Sequence, residues 1–309
     1  MTDQIAIGVD IGGSHITSAA VDLRTFGILE NTTFSAKIDN KAPKDVILKD
    51  WSKAINGTIG SVSMQTTANI GFAMPGPFNY RTGMALFEGE NDKYENLHNI
   101  SIPEELPKFI DSGKANLRFL NDATAFGVGV STQGKAKECQ KVVVVTLGTG
   151  FGSAFINNGI PQVNSDDVPQ DGCLWDKPYK KGISDDYFST RWCIERYYEI
   201  TSERIKGVKD IAAVDTDDSR MVFNEFGANM AEFMAPFLKK FQAEIIVMGG
   251  NISKASDLFL PKLKSDLQKK GLQLGFEVSP LMEDAAIIGS AKLFVNDFWN
   301  MVKNELPEI

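Results

Sequence analysis

Val9-Asp10-Ile11-Gly12-Gly13-Ser14 and Val145-Thr146-Leu147-Gly148-Thr149-Gly150 read as near-copies of one another. In each, a β-type run enters a turn of glycine and hydroxyl residues. A second run leaves it, Ile16 to Val21 in the first case and Gly152 to Ile156 in the second. The two stretches align without gaps, Gly12 facing Gly148 and Ser14 facing Gly150. Glycines lack Cβ and let backbone N–H groups approach an anion, while the hydroxyls add donors. Two such hairpins can pinch a polyphosphate between two half-molecules. That pattern points to a nucleotide-dependent phosphotransferase.

The rest of the chain agrees with that scale. At 309 residues it has room for two domains of about 150 residues each. A formal charge of −8 argues against a nucleic-acid surface, which needs a basic face. No apolar run approaches the roughly 20 residues of a membrane span, and no signal peptide opens the chain. Cys139, Cys173 and Cys193 are scattered and odd in number, which fits neither a disulfide framework nor a zinc knuckle. A soluble cytoplasmic protein is expected, with no nucleic-acid or membrane partner.

Patterning predicts strands at 5–9, 16–22 and 28–35, a helix over 46–59, and a buried strand at 68–73 ending in Met74-Pro75-Gly76-Pro77. A strand at 118–120 runs into Asn121-Asp122-Ala123 and a helix of small residues toward Thr132. The second half repeats the plan with strands at 142–146 and 152–156, helices over 185–199 and 219–241, and a strand at 244–248. Gly249-Gly250-Asn251-Ile252-Ser253 follows, with Asn251 or Ser253 placed to cap the next helix. A strand at 275–278 and a closing helix over 285–302 complete the chain. Hairpins alternating with helices, used twice, imply a duplicated α/β architecture. The polar stretch 157–184 stands outside this plan, and loops of that length are usually functional or disordered.

Five motifs in this order cover most of the chain: Asp10-Ile11-Gly12-Gly13-Ser14, Met74-Pro75-Gly76-Pro77, Asn121-Asp122-Ala123, Gly148-Thr149-Gly150-Phe151-Gly152 and Gly249-Gly250-Asn251-Ile252. Together they resemble the ROK family of sugar kinases, glucokinase-like enzymes and sugar-responsive repressors. The resemblance implies a duplicated actin/hexokinase (ribonuclease H-like) α/β fold, with two lobes around a central cleft that closes over ATP and sugar. The last helix is expected to return to the N-terminal lobe. We therefore place the small lobe at 1–118 plus 286–309 and the large lobe at 119–285. A homodimer is suggested by family analogy alone.

Read from its own dipeptide, Asp122 has two roles open to it: capping the helix that follows, or acting as a base from a strand end. The resemblance selects catalysis and makes Asp122 the acceptor of the attacking hydroxyl proton, with Asn121 and Gly76 beside the sugar. Asp10 alone reads equally as a turn residue or a ligand. By resemblance it orients hydrated Mg²⁺, an ion that takes one or two carboxylates plus phosphate oxygens. Gly12, Gly13 and Ser14 with Gly148, Thr149 and Gly150 would then hold the ATP phosphates, and Gly249 and Gly250 the adenosine. No GxxxxGKS-type loop is present, so a lysine-cradled nucleotide is not expected.

The chain departs from the family in its sugar loop. Many members carry a Glu-x-Gly-His stretch after the second turn, whose His joins three cysteines of a CxCGxxGC run around structural zinc. Here the corresponding residues are Gln170-Asp171-Gly172-Cys173, the cysteine run is missing, and His15 and His98 are the only histidines. No structural zinc site is expected. Gln170 and Asp171 are the remaining candidates for sugar hydroxyls, joined by Asp166 or Asp167, and Cys173 reads as a packing residue. Trp175, Tyr179 and Tyr187 read as anchors of the long loop, and His98 sits in the loop 93–99. An ATP-dependent hexose kinase acting at the 6-hydroxyl is the resulting reading. A weakly catalytic sugar-binding protein is the alternative, and a DNA-binding regulator is disfavoured by the early first strand.

Overall fold

The computed structural model describes residues 4–64, 66–88 and 93–306. The chain forms two compact units, Met1–Lys137 with Gly159–Pro161 and Glu283–Ile309, and Glu138–Asn158 with Gln162–Met282.

In the first unit, strands β1 (Ile5–Ile11), β2 (His15–Asp22), β3 (Phe34–Lys37), β4 (Thr67–Met74) and β5 (Lys114–Asn121) form one sheet in the order β3-β2-β1-β4-β5. The first three are antiparallel neighbours, while β1, β4 and β5 run parallel. In the second unit, β6 (Lys141–Leu147), β7 (Phe151–Asn157), β9 (Ile245–Gly249) and β10 (Gly275–Val278) form a sheet in the order β7-β6-β9-β10, while the short β8 (Ile160–Pro161) falls in the first unit. A hairpin on one side and parallel strands on the other recur in both sheets. The repeat expected from the two turns is a repeat of topology.

Small residues fix how the helices lie in the first unit. Helix α2 (Asp122–Gln133) packs on α6 (Glu283–Ala291) so closely that a Cβ on Gly129 would sit 1.8 Å from the Ala285 carbonyl oxygen. One on Gly289 would sit 1.9 Å from the carbonyl oxygen of Ala125. Real carbon atoms cannot approach an oxygen so closely, so the glycines set the contact distance. This contact explains where the units divide. The expected boundary after residue 118 falls instead after Lys137, because α2 belongs with the chain's returning end.

Other expectations shift locally. The strand expected at 28–35 is confined to Phe34–Lys37, with Ile28 making only an isolated bridge to Val21. The helix expected from 185 begins at Thr190 as α3 (Thr190–Thr201), after a short 3-10 turn at Ser184–Asp186, because Ser189 is extended at φ −114° and ψ 164°. The closing helix is two pieces, α6 and α7 (Asn296–Val302), separated by a 3-10 turn and an extended Val295. The stretch 157–184 is folded into short pairings rather than left without structure, and the buried Leu174 N–H donates to Ser153 Oγ at 2.9 Å. Tyr179 and Tyr187 do anchor it, meeting edge-on at 5.0 Å, with Tyr179 also against Phe188 and Phe233. Trp175 does not, being 46% exposed. No helix among the described residues is long and apolar enough to cross a membrane.

Candidate active site

Parallel pairing brings three motifs to one end of the first sheet. Asp10 lies opposite Ala73, and Met74 opposite Asn121, so all three strands deliver their carboxyl ends together. Open α/β sheets bind ligands at such ends. Here β1 ends beside Asp10, β4 runs into Pro75, Gly76 and a cis peptide to Pro77, and β5 runs directly into α2.

At the start of α2 the two polar residues divide the work. Asn121 is the cap: its Oδ1 accepts from the Thr124 amide at 3.1 Å, and its Nδ2 donates to the Tyr80 hydroxyl at 3.2 Å. Asp122 is the first helical residue, and its Oδ1 accepts from the Ala123 amide at 2.7 Å. The capping role open to Asp122 therefore falls to Asn121. Burial pushes the Asp122 carboxyl above the usual carboxylate range, against the pull of the Ala123 amide and the Lys93 ammonium. Asp10 is pushed up to about 8, first by burial and then by the negative charges of Asp122 and Glu283. Asp10 thus feels the charge of Asp122 in a poorly hydrated corner.

The first turn is braced from a distance. Gly12 N donates to His15 O at 2.9 Å across the hairpin, Asn40 Nδ2 donates to Gly13 O, and the buried Tyr94 hydroxyl donates to Gly12 O. Lys93 lies against Gly13, its Cε 3.4 Å from where a Cβ would stand. Ser14 is exposed at the tip. The loop 93–99 thus enters the site through Lys93 and Tyr94, whereas His98 pairs with Glu88 at 3.5 Å. His15 stays on the hairpin and meets Glu283 at 3.3 Å. Asn40, Tyr94 and Glu283 carry no local signal, since contacts across 27, 82 and 268 residues exist only in the folded chain.

The second unit holds the other turn. Gly148 N donates to Gly150 O at 3.0 Å, and nothing stands within 4 Å of a Cβ built on Gly148. Thr190, at the start of α3, donates to Gly148 O through both its amide at 2.8 Å and its hydroxyl at 2.9 Å. Asp185 Oδ1 accepts from Phe151 N at 2.6 Å and lies 2.9 Å from a Cβ built on Gly150. The bareness of Gly150 thus makes room for a carboxylate of this chain. Thr149 and Gly150 are exposed.

Gly249 ends β9 opposite Thr146, and Gly250 follows at φ +82° with the Leu147 carbonyl oxygen 2.3 Å from a Cβ there. Glycine at 250 is required by the backbone whatever binds beside it. Neither Asn251 nor Ser253 caps the next helix with its side chain; Ser253 Oγ donates back to Gly250 O at 2.6 Å. In the sugar loop, Gln170 is exposed and Asp171 partly buried, with Asp171 in the left-handed region at φ 60°. Asp167 is taken up by Lys141 at 2.7 Å and Ser165 at 2.6 Å, which removes it from the candidates for sugar contact, while Asp166 stays exposed. Cys173 is partly buried, and burial raises its thiol to about 11, as expected of a packing residue.

Comparison with known proteins places this chain. The sequence pattern of the ROK family matches residues 6–166, slightly more than half of the chain, and the protein belongs to that family. It is 26% identical to a glucokinase of Thermotoga maritima, over 93% of this chain and 96% of that protein. It is 24% identical to an N-acetyl-D-glucosamine kinase of Haemophilus influenzae, over 93% of this chain and 98% of that one. Among solved structures, a ROK family glucokinase from Streptomyces griseus in complex with glucose and AMPPNP superposes with a TM-score of 0.71 at 19% identity, covering 94% of this chain and 98% of the other. The fold is the duplicated actin/hexokinase-like arrangement of the ROK sugar kinases.

Proposed function

We propose that this protein is an ATP-dependent hexose kinase, glucokinase-like, with Asp122 as the catalytic base. The carrying observation is the division of labour at the start of α2: Asn121 caps the helix, and Asp122 keeps a carboxylate with raised proton affinity at the carboxyl end of the sheet. The attacking sugar oxygen forms its bond to the terminal phosphorus of ATP as the bond to the departing ADP oxygen breaks. The hydroxyl proton passes to the Asp122 carboxylate. A base whose affinity is raised toward the working pH suits this transfer, and such help is worth about 10²–10⁴-fold.

The remaining assignments follow the family pattern. Gly12, Gly13, Ser14, Gly148, Thr149 and Gly150 are assigned to the phosphates, and Gly249 and Gly250 to the nucleoside. Asn121, Gly76, Gln170 and Asp171 are assigned to the sugar, whose 6-hydroxyl is the acceptor. Asn121 has room for that role, since Nδ2 keeps a second hydrogen after its bond to Tyr80. The surroundings of Asp10 suit a cation, because its carboxyl, raised first by burial, is raised further by the negative charges of Asp122 and Glu283, which a cation offsets. We assign Asp10 to hydrated Mg²⁺. When bound, Mg²⁺ neutralises phosphate charge in the transferring group. Backbone amides and hydroxyls of the turns hold the phosphates in position, and Asn121 and Asp122 orient the acceptor.

ADP release with Mg-ATP across a panel of hexoses, N-acetylhexosamines and disaccharides tests the reading, with Asp122→Asn alongside. Turnover on one sugar, lost by about 10²-fold or more in the variant, is the expected result. No turnover across the panel, with a sugar still raising thermal stability, would replace the kinase by a sugar-binding protein.

A further inference from the structure

We infer that Arg191 is a positioning residue for the phosphoryl donor at the second turn, held in reserve by Asp185 and Asp186. The inference deepens the kinase reading and rests on it for the identity of the donor. It starts from the anion already present at this corner, the carboxylate of Asp185. One of its oxygens accepts from the Phe151 amide at 2.6 Å, and the other lies 3.6 Å from Arg191 Nη2. One negative group is therefore shared between the turn's backbone and a guanidinium.

The same guanidinium nitrogen lies 3.4 Å from Asp186 Oδ1, and the Arg191 side chain is 61% exposed. Well-formed guanidinium–carboxylate bonds are about 2.7–2.9 Å long, so both pairings are loose. Exposed loose pairs hold little energy and exchange readily for a better partner. Phosphate oxygens are such a partner, since the planar guanidinium fork matches them and carries a fixed charge.

The scaffold behind Arg191 is firm. Its neighbour Thr190 donates to Gly148 O twice, through its amide and its hydroxyl, which ties the first turn of α3 to the glycine turn. The preceding Ser189 is wholly buried, and its Oγ lacks a hydrogen-bond partner among the described residues. The spare donor at this corner is the loosely held guanidinium of Arg191. Its ligand class is the terminal phosphates of a phosphoanhydride chain, in a nucleoside triphosphate or in inorganic polyphosphate.

The charges predict opposite effects from two neutral variants. Arg191→Ala removes an attraction and should raise the donor KM by about tenfold or more, leaving the sugar KM within about twofold. Arg191→Lys should recover part of the loss. Asp185→Asn keeps an acceptor for the Phe151 amide and removes a repulsion, so it should lower the donor KM. If Asp185 is only a latch for the turn, Asp185→Asn raises the donor KM or leaves it unchanged, and the inference fails. Melting temperatures of all three variants within a few degrees of the parent separate a binding effect from misfolding.

Direct calorimetric binding of Mg-ATP and of sodium tripolyphosphate, with the full chain, separates this inference from the kinase reading. Both ligands weakened by Arg191→Ala supports a phosphate contact common to the two sources. Weakening of tripolyphosphate alone assigns the contact to a polyphosphate donor, and weakening of Mg-ATP alone to the nucleotide. Unchanged binding of both overturns the inference even in an active kinase. A parent without transfer activity whose tripolyphosphate binding still depends on Arg191 overturns the kinase and leaves the phosphate site standing.

Discussion

The two glycine turns align residue for residue in sequence, yet they are built differently. The first has Asp10 two residues before Gly12, where the second has Thr146 before Gly148. The first is braced by Asn40 and Tyr94, both from outside the hairpin, on the carbonyls of Gly13 and Gly12. The second is braced by Thr190 at a helix start and by the Asp185 carboxylate on the Phe151 amide. Asn40, Tyr94 and Thr190 direct donors onto turn carbonyls, whereas Asp185 accepts from the Phe151 amide. Beside the first, burial and the charges of Asp122 and Glu283 raise the proton affinity of Asp10; beside the second, Asp185 and Asp186 lie near Arg191. The duplicated hairpins thus carry different charged neighbours.

The sharpest way to break this comparison is to neutralise the two matched positions. Asp10→Asn should lower transfer by about 10²–10³-fold, as expected for loss of transition-state charge stabilisation, and Thr146→Val should change it by less than about tenfold. Equal losses in steady-state turnover would mean that the turns share the cation function. The same Asp10→Asn protein should be more stable without ligands. A carboxyl held at about 8 when folded, against an ordinary 3.8, contributes stability at low pH that is lost as pH rises through 8. Removing its charge should therefore raise the melting temperature by roughly 2–6 °C at pH 8 and by less at pH 5. A larger gain at pH 5 by calorimetry would contradict the placement of Asp10.

A second pair of effects concerns how each unit is held. Gly250→Ala places a methyl group against the Leu147 carbonyl at a left-handed backbone, and should cost about 2–4 kcal/mol of unfolding free energy. Gly148→Ala points into open space and should cost under about 1 kcal/mol while still weakening donor binding. Urea unfolding of the two variants compares them directly. The smallest effects belong to the braces. Tyr94→Phe loses the bond to Gly12 O, and Thr190→Val loses one of two bonds to Gly148 O. Each should cost about 0.5–1.5 kcal/mol, with Tyr94→Phe the larger because no second donor to Gly12 O is found among the described residues.

What the amino-acid order determined by itself was local and periodic. Alternating apolar runs set the strands, and glycine with hydroxyl residues set both turns. Two such hairpins at matching spacing implied the duplicated α/β fold before any contact was known. Asp10 and Asp122 were legible as candidates because Asp10 stands near a strand's end before a glycine turn and Asp122 opens a helix. Which of residues 121 and 122 caps the helix was not legible, since it depends on which side chain reaches the Thr124 amide. Nor were Tyr94, Asn40, Glu283 and Arg191, whose roles come from residues brought together by packing. The domain boundary moved for the same reason: glycine contacts between α2 and α6 join segments more than 150 residues apart. Side-chain chemistry and spacing wrote the motifs; close packing decided which groups brace them and which are left free to meet a ligand.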